Sequence, residues 1–199
     1  MNVVEQFLLN SGFSWMWSKL SIFIFIFLVS LNIAIFLLIK THWSKFLKIP
    51  LAIFITVLPF TIYFIFYPIY TGDLIDESKK VSSNYLFPSN KTLNIFVLKG
   101  CPFCENTIEY MIDLHNRKPV IPIRYIIIGE RDDKFPGFTN KIPSYCEKVY
   151  EPSGLKAGEL TEGNYPCYVL SKNGKGEKKW FNDSFGMKSM DIIEAFFEE

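Results

Sequence analysis

Cysteine is missing from the first hundred residues, and charge is nearly missing from the first seventy-one. That stretch holds one acid, Glu5, against four lysines, Lys19, Lys40, Lys45 and Lys48, and no arginine. A segment that carried electrons across a bilayer would need thiols or a bound cofactor. Residues 1–71 offer no thiol, so they read as an anchor rather than a relay. Histidine is scarce too: His42 and His115 lie far apart, and there is no second C-x-x-C. A zinc site of the usual spacing needs one or the other. Beyond residue 71 acids and bases nearly balance, and no basic patch points to nucleic acid.

Long apolar runs fill the first part. Leu20 to Ile39 is free of charge and bracketed by Lys19 and Lys40. Its twenty residues rise about 30 Å as a helix, the thickness of the hydrocarbon core. Ser21, Ser30 and Asn32 interrupt it in the way that suits helix packing. No small-x-small site follows, which argues against a cleaved signal peptide. Ile49 to Tyr70 is a second span, with Pro59 and Pro68 expected to kink it. Residues 1–18, with Trp15 and Trp17, suit a membrane–water boundary. The expected organisation is therefore an interfacial segment (1–18), two transmembrane helices within 19–71 (about 20–39 and 49–70), a polar linker (72–91) and a soluble domain (92–199). Lys40, Lys45 and Lys48 place the short connection on the cytoplasmic side, which puts both termini on the other.

The densest signal is Leu93 to Tyr110, LNIFVLKGCPFCENTIEY. Leu93 to Leu98 reads as a buried strand. Lys99-Gly100 breaks it, and Cys101-Pro102-Phe103-Cys104 opens a segment of helical spacing that ends at Lys118-Pro119. A C-x-x-C where a strand turns into a helix reads as a thiol–disulfide site. At the N-cap, Cys101 meets unpaired backbone N–H groups and the positive end of the helix dipole, which favour a thiolate. Pro102 fits the first turn because its missing N–H had no partner there. Cys104 follows one turn later, placed to resolve what Cys101 attacks. Half of a zinc site or a structural disulfide is the alternative. His115, three turns on, reads as a helix-end residue rather than a base.

Val120 to Ile128 is a second buried strand, expected parallel to the first. Gly129 to Asn164 is irregular, with a possible short helix around Ser144 to Tyr150. A third strand starts near Tyr165-Pro166-Cys167. A hairpin turn with Asn173-Gly174 leads to a fourth strand, Glu177 to Phe181. Met187 to Phe197 is a closing amphipathic helix.

This order, β-α-β-insert-β-β-α, resembles the thioredoxin fold over roughly Lys91 to Glu199. Two motifs carry the resemblance: the cysteine pair at a strand-to-helix junction, and Tyr165-Pro166 ahead of a strand and an N-G hairpin. The resemblance implies an α/β domain behind a two-helix hairpin, and a membrane-tethered thiol–disulfide oxidoreductase that needs no cofactor. It implies a cis Pro166 facing Cys101, and a Tyr165 backbone that pairs with a substrate peptide. Catalysis then falls to Cys101, Cys104 and Pro166, and substrate binding to Pro102, Phe103 and Tyr165. The Pro-Phe pair is similar to the Pro-Tyr of glutaredoxins. The buried acid that thioredoxins carry six positions before the first cysteine is Ile95 here, which leaves the Cys104 proton to water or Lys99. Glutathione-site residues of glutaredoxins have no counterpart.

Cys146 and Cys167 are expected to form a second disulfide that closes a 21-residue loop, for about 3 kcal/mol. A second redox pair, free thiols or a metal site are the other readings. The expected partners are protein thiols or disulfides and a separate redox partner, and the expected place is the outer side of a bacterial cell membrane. A non-catalytic binding or assembly module of an envelope complex, or a thiol-based metal-binding protein, are the competing functions.

Overall fold

A computed structural model describes residues 2–40, 45–129, 137–152 and 154–198. The chain divides into two units, Met1–Tyr70 and Thr71–Glu199. His42 and most of the lysine-flanked connection lie outside the described residues, as do residues 130–136 of the expected insert.

The first unit is helical. Helix α1 (Val3–Asn10) is closed by a capping box: the Asn2 side chain accepts from the Glu5 N–H, and the Glu5 carboxylate accepts from the Asn2 N–H. Helices α2 (Trp15–Lys40) and α3 (Lys45–Phe66) pack together and are each long and apolar enough to cross a bilayer. Phe23 of α2 meets the edges of Phe60 and Tyr63 of α3 at 5.7 and 4.8 Å. Ser30 and Ala34, one turn apart on α2, are buried, and small residues at that spacing let helices approach closely. Large side chains such as Phe25, Phe36, Phe54 and Ile65 face outward. The first helix begins earlier than expected, so Trp15 and Trp17 sit in its first turn. The second starts at Lys45 and stops at Phe66, before Pro68. The residue before a proline is driven out of the helical region, so Pro68 ends this helix where a kink was expected.

The second unit is a six-stranded sheet with the order β1-β6-β5-β2-β3-β4. Strand β2 (Thr92–Leu98) is central and pairs in parallel with β3 (Ile123–Ile128), with helix α5 (Pro102–Arg117) between them in sequence. On its other side lies antiparallel β5 (Cys167–Lys172), then β6 (Lys175–Phe181). Asn173 and Gly174 both have positive φ, 55° and 79°, which the two-residue hairpin turn requires. Helix α8 (Met187–Glu198) closes the chain beside α5. Arg117 pairs with Glu194 at 2.8 Å, and Lys118 with Glu198 at 2.7 Å.

Two expectations are corrected. Residues 147–150, read as part of a possible short helix around Ser144 to Tyr150, belong to β4 (Glu147–Glu151), an edge strand parallel to β3. Short helices α6 (Gly137–Lys141) and α7 (Leu155–Thr161) flank it. Backbone pairing with β3 outweighs the weak local helical preference of a five-residue stretch. The segment 72–91, read as a free linker, is built into the second unit. Helix α4 (Thr71–Leu74) places the Asp73 carboxylate under the first N–H of α8, which donates to it at 3.1 Å. Asp76 accepts from Lys178 at 3.0 Å and from the Trp180 indole at 3.2 Å. Strand β1 (Lys79–Lys80) extends the sheet along β6, and Phe87 packs into the core. Gly72 and Gly186 cross so closely that a Cβ on Gly186 would stand 2.5 Å from the Gly72 carbonyl carbon.

Asp73→Ala is expected to cost about 1–2 kcal/mol by removing the acceptor at the α8 N-terminus, and Gly186→Ala to cost more by forcing the two backbones apart. Urea unfolding of the detergent-solubilised chain measures both. Unchanged midpoints would show that residues 71–76 do not brace the domain.

Candidate active site at the C-x-x-C helix terminus

Burial on both faces fixes where β2 ends. Thr92 to Val97 are all buried and Leu98 emerges. Gly100, with φ 78°, then turns the chain left-handed, a conformation glycine adopts freely. Cys101 is the N-cap of α5 in an extended conformation, and Pro102 fills the first helical position. Cys101 is half-buried, whereas Cys104 is fully buried behind it. Pro102 and Phe103 are exposed beside the outer sulfur.

The Tyr165–Pro166 bond is cis, as the resemblance implied. It brings the Tyr165 carbonyl to 3.9 Å from the Cys101 sulfur, within reach of a thiol donor. The Tyr165 ring turns the other way and packs on the core. The fold thus assembles Cys101, Cys104, Pro102, Phe103, Tyr165 and Pro166 at one place. A groove of about 390 Å³ opens beside Cys101, lined by Lys99 to Pro102, Glu105, Ile127 and residues 137–139. Lys99 lies on this outer side.

Burial and the contact with Cys101 drive the Cys104 thiol pKa strongly upward. Ile95, at the position of the absent acid, is fully buried. Two tyrosines flank it: Tyr125 of β3 and Tyr168 of β5 are its register partners. The Tyr125 hydroxyl lies 3.1 Å from Thr107 Oγ1. Sequence reasoning missed these residues. The one signal was strand alternation, which places Tyr125 and Tyr168 on the same sheet face as Ile95.

The expected Cys146–Cys167 disulfide is not formed: all four cysteines are free. Cys167 points to the opposite sheet face, among Phe96, Ile126, Val169 and Phe181. Cys146 is buried next to Tyr145, whose hydroxyl donates to the Met111 carbonyl of α5 at 3.5 Å. Strands β2 and β3 lie between β5 and β4. At about 4.8 Å per strand the two are roughly 14 Å apart, against the ~7 Å limit for bridged Cα atoms. The same separation removes the second redox pair. His115 stacks on Tyr145 with ring centres 3.6 Å apart. Among the described residues, no three His, Cys, Asp or Glu side chains are grouped as metal donors.

No protein-family model matches the chain, and no curated protein matches it in sequence. Among solved structures the chain is similar to a secreted disulfide oxidoreductase of Mycobacterium tuberculosis homologous to Escherichia coli DsbE. The identity is 13%, 54% of this chain and 82% of that one are covered, and the TM-score is 0.43. It is also similar to the thioredoxin domain of a thiol-disulfide oxidoreductase from Bacteroides vulgatus (16%; 64% and 98%; TM-score 0.44) and to StoA from Bacillus subtilis (14%; 60% and 98%; TM-score 0.40). The chain's own strand order, with C-x-x-C after the central strand and a cis-proline facing it, defines a thioredoxin-like domain. Two helices of membrane-spanning length precede it.

In the folded, reduced chain at pH 8, iodoacetamide is expected to label Cys101, while Cys104, Cys146 and Cys167 react only in denaturant; mass spectrometry reads the count. Burial also pushes Cys146 up to about 11 and Cys167 to about 12. Unfolded thiols titrate near ~8.5, so above that pH the unfolded state binds fewer protons. Stability from these thiols is complete below about pH 8.5 and falls as pH rises, up to about 11 for Cys146 and about 12 for Cys167, by up to ~1.4 kcal/mol per unit for each thiol. Urea midpoints at pH 8 and 10 test the sign, and Cys167→Ala is expected to flatten the fall.

Proposed function

We propose that this chain is a membrane-anchored thiol–disulfide oxidoreductase that exchanges disulfides with protein substrates outside the cytoplasm. The observation that carries the reading is the pairing of a half-exposed N-cap Cys101 with a buried Cys104, under the Tyr165 carbonyl. Cys101 attacks a substrate disulfide or, in the oxidase direction, a substrate thiolate attacks Cys101 of the Cys101–Cys104 disulfide and Cys104 leaves as the thiolate. Cys104 resolves the mixed disulfide. The bond to the substrate sulfur breaks as the Cys101–Cys104 bond forms, and two electrons pass from the pair to the substrate; the oxidase direction is the reverse. Pro166 holds the Tyr165 backbone beside the sulfur so that a substrate strand can pair there. Pro102 and Phe103 offer apolar surface beside it.

The lysines around the connection of α2 and α3 favour a cytoplasmic hairpin and an outer thioredoxin-like domain, where disulfides persist. The anchor has no thiol, so redox equivalents come from a separate partner protein.

Cys104→Ala is expected to accumulate mixed disulfides between Cys101 and substrate proteins, visible as reducible bands on non-reducing gels. Cys101→Ala abolishes them. If the double alanine variant retains full function in cells, the domain is a binding module and the redox reading fails. In intact cells, a membrane-impermeant maleimide should label reduced Cys101; labelling only after lysis would reverse the orientation.

A further inference from the structure

Lysine is almost never buried whole, because an ammonium taken out of water is costly even when paired. Lys179 of β6 is buried nonetheless: its side chain is 6% exposed, against 43% for neighbouring Lys178. It is the register partner of Val169, so it rises on the sheet face that α7 covers. Its ammonium donates to the Leu160 carbonyl at 2.7 Å and to Glu162 Oε1 at 2.8 Å, and lies 5.2 Å from the Phe181 ring centre. Leu160 stands in the last turn of α7, where carbonyls lack a partner within the helix and favour a cation. An apolar side chain would fill this space without burying a charge, so packing alone does not ask for lysine.

The ammonium holds the turn that leads to the thiol site. After Leu160 the backbone goes left-handed at Glu162 and Gly163, with φ 54° and 73°. The Asn164 N–H donates to the Thr161 carbonyl at 2.9 Å, and the Asn164 side chain to the Glu162 carbonyl at 3.2 Å. Tyr165 follows, with its carbonyl 3.9 Å from the Cys101 sulfur. Cys167 then pairs with Phe181, two residues from Lys179. Residues 160–167 are thus tied to β6 at both ends: by strand pairing after Pro166, and by the Lys179 ammonium at the end of α7.

We propose that Lys179 is a positioning residue for substrate binding: by clamping the end of α7 to β6, it holds the Tyr165 backbone where a substrate strand can pair beside Cys101. The proposal rests on the thiol-exchange reading. Lys179 acts through residues 160–165 rather than on the substrate. Without the ammonium, the buried Leu160 carbonyl loses its donor, and the left-handed turn before Tyr165 keeps only one anchored end. A substrate segment must then order Tyr165 as it binds, which costs affinity. A lone cysteine, with no flanking backbone to pair, is spared that cost. The Glu162 carboxylate is 52% exposed, so its bond is the weaker half of the clamp.

Two probes that carry the same reacting disulfide, cysteine joined to thionitrobenzoate, test this. One is a short peptide with that cysteine at its centre; the other is N-acetylcysteinamide, which has no neighbouring residues. The full chain, reduced and in detergent, attacks either probe through Cys101. The Cys101 sulfur bonds to the probe's cysteine as thionitrobenzoate leaves with the electron pair, and its release gives a second-order rate constant. The parent is expected to prefer the peptide. Lys179→Met keeps the stem and removes the ammonium. It is expected to slow the peptide about ten-fold and N-acetylcysteinamide by less than about two-fold, a split that a general loosening of the fold does not give. Glu162→Gln leaves the bond to Leu160 and is expected to lower the preference about two- to three-fold; this arm stands even if Lys179→Met does not fold. Lys79→Met removes the other lysine near Glu162, 3.9 Å away on β1, and is expected to leave the preference in place. A parent with no preference for the peptide overturns the proposal. So does an unmoved preference in every variant at 179 and 162 that folds, or an equal fall in Lys79→Met. A parent that releases thionitrobenzoate from neither probe would instead overturn the thiol-exchange reading itself.

Discussion

Strand β2 is covered on both faces, by α5 on one and by α7 with Phe87 on the other, and its six buried residues leave it one register. A slip of one position would turn Ile95 and Phe96 to the wrong layers. That register sets where the strand ends, and so where Gly100 turns and Cys101 caps α5. The placement of Cys101 and Cys104 depends on this double burial more than on any contact made by the sulfurs. The partner strand β5 adds the second half of the site. Phe96 pairs with Cys167, so the residues just before it, Tyr165 and Pro166, arrive at the end of β2 where Cys101 stands.

The sheet separates two environments for its thiols. On the α5 face, Cys104 is fully buried, and among the described residues the groups acting on its thiol are Cys101 and the Leu98 backbone. On the other face, Cys167 fills apolar space near Lys179, whose ammonium bonds the Leu160 carbonyl at 2.7 Å and Glu162 at 2.8 Å. Cys167 is therefore a small apolar residue with a raised pKa, adjacent in sequence to Pro166 but pointing away from Cys101. Cys146 has a similar part beside Tyr125 at the far edge. Adjacency along a strand gives opposite faces, which is why a cysteine next to the cis-proline is not part of the thiol site.

Residues 71–91 change how the anchor is understood. Asp73 satisfies the start of α8, Asp76 holds Lys178 and Trp180, and β1 adds to the sheet edge. These residues belong to the fold rather than to a tether, so the segment between the end of α3 and the domain is only residues 67–70. Its polar composition suggested a linker because Asp, Ser and Lys are usually solvated. Here their polar atoms are spent on a helix terminus, an indole and a strand edge.

The strand-to-helix position of Cys101 and Cys104, the two apolar spans, the N-G hairpin and the βαβ start were legible because each is local: a periodicity, a cap or a turn that a few neighbouring residues dictate. The cis bond at Tyr165–Pro166 was legible through resemblance alone. Tertiary structure decided the rest. A five-residue stretch became β4 because β3 offered an open edge, and residues 72–91 became structure because α8 and β6 offered partners. Cys146 and Cys167 were parted by two strands and a sheet face that no spacing in the chain records. Tyr168 came to stand beside Ile95 because β5 lies beside β2, a pairing between residues some seventy positions apart. Sequence determines what each segment prefers; which segments become neighbours is settled when the whole core is buried at once.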